Sequence, residues 1–162
     1  MTNNTYPIGT PGTKWNNSDK AQWLARQNIK RSYQDEVVTL VDDLKSILNV
    51  EQYGELNYAA GVYPLYVLKT PHFNADKPTV LITGGVHGYE TSGVHGALRF
   101  AKTSAIQHSE QFNIIVAPCI SPWGYETINR WNPNAVDPNR SFYKGGQAEE
   151  SKNIMDYVLG LN

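Results

Sequence analysis

The stretch Leu81-Ile82-Thr83-Gly84-Gly85-Val86-His87-Gly88-Tyr89-Glu90-Thr91 runs from an apolar segment through a glycine pair to a His and a Glu three residues apart. The apolar run Thr79-Val80-Leu81-Ile82-Thr83 is short, rich in β-branched residues and bounded by turn signals, so it predicts a buried strand. Gly84-Gly85 stops that strand. A helix is predicted from Thr91 or Ser92 to about Ala105, and Phe112-Asn113-Ile114-Ile115-Val116-Ala117 predicts the next buried strand. Strand, helix and strand in this order argue for an α/β sheet with parallel neighbours. Upstream, residues 53–60 and 63–69 read as two strands joined near Gly61, an antiparallel edge that makes the sheet mixed.

Farther out, Val37, Val38, Leu40, Val41, Leu44, Ile47 and Leu48 recur at helical spacing and predict a helix ended by Asn49. Ala21, Trp23, Leu24 and Ile29 predict an earlier helix capped by Asn17 or Ser18. Residues 1–17 are turn-rich and read as an ordered arm anchored by Tyr6, Ile8 and Trp15. Residues 118–146 hold four prolines and read as a long turn-rich segment. Residues 147–159 return to a helical pattern.

The chain has 162 residues, which suits one domain. Fourteen Lys and Arg against fifteen Asp and Glu give a net charge of −1, so there is no basic field for nucleic acid. No run of 18 apolar residues predicts a membrane span. A polar start without an apolar signal region, together with a single cysteine, Cys119, fits a cytoplasmic protein without a disulfide framework.

Ligand sites of open α/β sheets form beyond the carboxyl ends of the strands, which is where His87 and Glu90 fall. On a helical turn a spacing of three puts both side chains on one side. Imidazole nitrogen and carboxylate oxygen are both zinc ligands. The plainer alternative is a hydrogen-bonded structural His at a helix start. After the second strand, Ser121-Pro122-Trp123-Gly124-Tyr125 is followed by Arg130 and by Asp137-Pro138-Asn139-Arg140-Ser141-Phe142. Arg130 and Arg140 would lie on the same sheet edge, where guanidinium forks bind a carboxylate and Asn139 adds an amide donor. Alternatively, the two arginines pair with Asp137 or Glu126 on the surface.

Taken together, these stretches resemble the zinc carboxypeptidase superfamily over roughly residues 50–160. Gly85-Val86-His87-Gly88-Tyr89-Glu90-Thr91 is similar to its His-x-x-Glu zinc motif. Asp137-Pro138-Asn139-Arg140-Ser141-Phe142 is similar to its Asn-Arg motif, and Ser121-Pro122-Trp123-Gly124-Tyr125 to its Asn-Pro-x-Gly-Tyr/Phe turn. The likeness is strongest to the compact members, among them the succinylglutamate desuccinylase and aspartoacylase branch.

The resemblance implies a three-layer α/β/α fold with a mixed, mostly parallel sheet, of which residues 1–162 form a single incomplete domain. It implies Zn2+ held by His87 and Glu90, a substrate carboxylate held by Asn139 and Arg140, and an oxyanion stabilised by Arg130. The implied reaction is hydrolysis of an amide bond next to a free carboxylate. The partner is then a peptide C-terminus or an N-acyl amino acid. The family's third ligand, a later His, and its later Glu base have no counterpart, because no His follows His108. Glu149 and Glu150 stand too close to Asn139 and Arg140 to match that base. His95 would lie about 12 Å along the helix from His87 at 1.5 Å per residue, too far to share one metal. His72 and His108 read as solvent-side. This chain alone is therefore expected to be inactive. A non-catalytic carboxylate-binding module, or a homo-oligomer formed through an exposed sheet edge, is the competing expectation.

Overall fold

A computed structural model describes residues 7–161. Helix α1 (Asn17–Leu24) is capped by Asn16, whose side chain accepts from the Asp19 N–H while Asp19 accepts from the Asn16 N–H. This reciprocal box makes Asn16 the cap, one residue before Asn17 and two before Ser18, the expected caps. The chain leaves the helix before Ile29, which is 66% exposed. The next apolar stretch is one continuous helical segment of changing pitch: a π turn (Gln34–Val38), α2 (Thr39–Asp43) and a 3-10 turn (Leu44–Ser46). It buries Val37, Val38, Val41 and Leu44, while Leu40 and Ile47 stay exposed. Asn49 opens the first strand instead of closing the helix.

Strands β1 (Asn49–Tyr58) and β2 (Gly61–Lys69) form an antiparallel hairpin with a bulge at Tyr53. Then follow β3 (Thr79–Thr83), α3 (Thr91–Thr103), β4 (Asn113–Ala117), α4 (Pro122–Thr127), a 3-10 turn (Pro138–Arg140) and α5 (Glu149–Leu159). The sheet order is β1-β2-β4-β3. β3 and β4 pair in parallel, and β2 meets β4 antiparallel. The sheet is mixed, as the sequence implied.

Alternation along β4 sorts the core into two faces. Ile114 and Val116 join Val94, Ala97, Leu98 and Ala101 of α3 and the residues of the segment 34–44. Ile115 and Ala117 face the other way, toward Ile154 of α5. Helices thus cover both faces, giving three layers. Each buried Ile or Val of β4 contributes roughly 1.5–3 kcal/mol of burial.

β3 corrects an expectation. Its apolar run predicts a buried strand, yet Val80 and Leu81 are 37% and 38% exposed. β4 is its only partner among the described strands, so its far edge is open. Periodicity reports the apolar content of a strand and not what lies beside it.

Of the arm, Tyr6 lies outside the described residues. Ile8 is buried, and Trp15 packs on Trp23 and Trp131 with ring centroids 6.5 and 5.7 Å apart. Trp23 also meets Trp123 and Trp131, each at 5.8 Å. The arm is thereby fixed against the segment that carries Arg130.

Candidate active site

Beyond their last paired residues, β3 and β4 stay side by side. The Gly84 N–H donates to the Ala117 carbonyl, the Ile120 N–H to Gly84 and the Ser121 N–H to Gly85. The Ser121 hydroxyl donates to the Val86 carbonyl at 2.7 Å. Gly85 turns the chain with φ +57°, a conformation that favours glycine. At Gly88 a Cβ would run into the backbone of Gly124 and Tyr125, so only glycine lets this turn lie on α4. His87 and Glu90 sit on that turn, not on a helix. The Glu90 N–H donates to the His87 carbonyl at 3.1 Å, and α3 begins at Thr91. The spacing of three still brings the side chains together, with His87 Nδ1 3.1 Å from Glu90 Oε1.

The other ring nitrogen reaches the second motif. His87 Nε2 lies 2.9 Å from Asp137 Oδ1. Asp137 caps the turn Pro138–Arg140 by accepting from the Asn139 N–H at 2.9 Å. Its other oxygen accepts from Arg130 Nε at 3.1 Å. Partial burial would raise the Asp137 pKa, but the hydrogen bond and charge of His87, the charge of Arg130 and the Asn139 N–H outweigh this and hold it below the ordinary range. Asp137 is thus a carboxylate, which can only accept, so His87 Nε2 is the donor.

This puts a proton on Nε2. In the neutral form with that proton, the imidazole turns its Nδ1 lone pair toward a Glu90 oxygen. Two lone pairs at 3.1 Å repel unless a cation stands between them. A proton on Nδ1 meets that need, and so does a metal ion. Two ligands bound tetrahedrally at about 2.0–2.2 Å are roughly 3.3–3.6 Å apart, close to the observed separation. A buried His that hands its second N–H to a carboxylate is the usual support of a metal-binding imidazole. The His87 side chain is 5% exposed, whereas that of Glu90 is 47% exposed, so the gap opens to solvent on one side. His87 and Glu90 therefore fit zinc as two ligands. Among the described residues, no group of three His, Cys, Asp or Glu side chains is placed to hold a metal.

Arg130 forms the expected alternative pair with Asp137, and its Nη1 also donates to the Tyr89 hydroxyl at 3.4 Å. The Tyr89 ring stacks on His87 with centroids 5.9 Å apart. Arg140 pairs with neither Asp137 nor Glu126; its Nη1 donates to the Asn139 carbonyl at 3.0 Å. Asn139 and Arg140 are both exposed and follow Asp137 directly. Glu126 faces away from the site, accepting from the Tyr33 N–H and the Tyr63 hydroxyl.

The remaining histidines stand apart. His95 Nε2 meets the Tyr125 hydroxyl at 3.0 Å, and His108 stacks on Phe100. His72 adopts φ +59° in the loop after β2. Glu150 is buried, accepting from the Tyr58 hydroxyl at 2.7 Å and from Asn132 Nδ2 at 3.0 Å. Asn132 in turn accepts from the Asn134 and Val136 N–H groups, which anchors the loop leading to Asp137. The Cys119 thiol is buried and its pKa is pushed up by desolvation, so it is no nucleophile.

The fold is one that this chain shares with metallopeptidases. The zinc carboxypeptidase family model matches residues 59–158, and the chain belongs to that family. Metallopeptidase candidates from Shewanella amazonensis and Shewanella baltica share its fold at 24% and 23% identity, with TM-scores of 0.65 and 0.66. The match covers 80% and 78% of this chain and 49% and 50% of theirs. A metallo-carboxypeptidase from Burkholderia cenocepacia aligns at 16% identity and a TM-score of 0.64, over 80% of this chain and 38% of that one. The chain thus spans about half the length of the first structures it matches. A comparison with curated proteins finds no match. Among the described residues, no helix is long and apolar enough to cross a membrane.

Proposed function

We propose that this chain carries part of the active site of a zinc-dependent hydrolase that cleaves an amide bond next to a free carboxylate, releasing a C-terminal residue. The observation that carries the proposal is the pair of contacts at His87. Nε2 is committed to Asp137, and Nδ1 faces Glu90 across a gap that calls for a cation. When bound there, zinc would polarise a carbonyl and acidify a water toward about pH 7.

The chain's own residues supply the rest. His87 and Glu90 hold the metal, and Asp137 keeps the imidazole in the ligand tautomer. Arg140 and Asn139 grip the substrate's carboxylate, which sets orientation and proximity. Arg130, steadied by Asp137 and Tyr89, places a cation where negative charge develops on the scissile carbonyl oxygen. The two-ligand set supports carboxylate binding without turnover by this chain on its own. Hydrolysis of an N-acyl amino acid is the alternative within the same chemistry. The lone buried thiol supports a cytoplasmic setting.

The test is zinc content and carboxylate binding in the parent and His87→Ala proteins, with release of the C-terminal residue from peptides and of the acyl group from N-acyl amino acids as the activity readouts. Zinc and carboxylate binding that depend on His87 support the reading. Zinc content unchanged in His87→Ala ends the zinc assignment.

A further inference from the structure

Arg31 lies outside the residues that match the family, 59–158, yet it is where the ligand turn and α4 are joined. Its Nε donates to the Tyr125 carbonyl at 2.6 Å, its Nη1 to the Thr91 hydroxyl at 2.6 Å and its Nη2 to the Gly88 carbonyl at 3.0 Å. The guanidinium carbon also stands 3.6 Å from the centre of the Tyr125 ring. That ring cannot slide, because its hydroxyl donates to Glu36 at 2.7 Å and meets His95 Nε2 at 3.0 Å. Gly88 and Thr91 bracket Tyr89 and Glu90. The three bonds therefore clamp the turn on both sides of Glu90 and tie it to a fixed aromatic ring.

We propose that Arg31 is a positioning residue for the metal pair: it holds the turn in the conformation in which His87 Nδ1 faces Glu90. A planar guanidinium reaches three acceptors in set directions, whereas a lysine ammonium is a point charge on a flexible stem. The neighbouring chain adds to the brace. The Lys30 N–H donates to the Glu126 carbonyl at 2.8 Å, and Asn129 Nδ2 donates to Gln27 at 2.9 Å. The segment before residue 59 thus acts on the ligands without touching them. The consequence for metal affinity rests on the zinc reading above; the consequence for the order of the turn rests on the hydrogen bonds alone.

The experiment compares the parent, Arg31→Gln, Arg31→Lys and Thr91→Val proteins by amide hydrogen exchange without metal, and by zinc competition against a chromogenic chelator. Arg31→Gln and Arg31→Lys are expected to speed exchange at residues 87–92 about tenfold or more while β4 stays protected, the mark of local opening. Both are expected to weaken zinc binding about 10- to 100-fold, as loss of a ligand's support does. Thr91→Val removes one bond and gives a smaller change in the same segment. It decides the matter where Arg31→Gln does not fold. Exchange at residues 87–92 that stays within twofold of the parent overturns the proposal, and so does full recovery by Arg31→Lys. A parent whose zinc binding is unaffected by His87→Ala would remove the metal reading only; the exchange result then decides the brace by itself.

Discussion

His87 Nε2 and Asp137 Oδ1 stand 2.9 Å apart although 50 residues of chain separate them. That bond joins the two motifs into one site and decides which imidazole nitrogen is left for a cation. Asp137→Asn keeps the shape but removes the charge that holds the tautomer and steadies Arg130. Zinc affinity is expected to fall about 10- to 100-fold, read by chelator competition. Unchanged affinity would show that Asp137 does not support the ligand.

Arg140 and Arg130 are expected to separate binding from chemistry. Arg140→Gln should weaken binding of a peptide with a free C-terminus by about tenfold or more, since bonds to charged groups contribute about 1.5–3 kcal/mol. An amidated peptide should bind no better to the parent than to this variant. Arg130→Gln should leave carboxylate binding nearly intact and, wherever turnover is measurable, lower kcat about 10²- to 10³-fold. Calorimetric titration checks the first pair of statements, and equal loss of binding in both variants would sink them.

Glu150 gives a pH dependence with a definite sign. Burial raises its pKa above the ordinary range, against the lowering effect of its bonds from Tyr58 and Asn132. The folded state therefore binds the proton more tightly than the unfolded state. The resulting stability is fully present below the unfolded pKa of about 4.3 and is lost as pH rises through the higher folded value. Glu150→Gln should flatten that slope and raise the relative stability near neutral pH. Chemical denaturation at a series of pH values reads it, and an identical slope in the variant would refute it.

The open edge of β3 is where the expected self-association would form, with Val80 and Leu81 of two copies meeting strand to strand. Sedimentation should then show a concentration-dependent dimer that Leu81→Lys abolishes. A monomer at every concentration ends that expectation.

Much of the architecture could be read from local pattern. A short continuous apolar run marked β4, the glycine pair marked the end of β3, and the spacing of three marked His87 and Glu90 as neighbours. What could not be read depends on distant neighbours. β3 looks buried because its residues are apolar, but its exposure is set by what lies beside it. Asp137 was legible only as a surface partner for an arginine, since nothing near it in sequence points to His87. Arg31 carries no motif at all; its role exists only because Gly88, Thr91 and Tyr125 converge on it. The cap at Asn16 was available in the Asn-x-x-Asp spacing of Asn16 and Asp19.

All four tryptophans of the chain, Trp15, Trp23, Trp123 and Trp131, lie in one cluster, and Trp131 is the residue after Arg130. Ultraviolet emission from this protein therefore does not average over the fold. It is an optical signal from a single junction, where the arm meets the strand-end loop. Quenching or a wavelength shift on adding a carboxylate ligand would report on that junction without any attached dye.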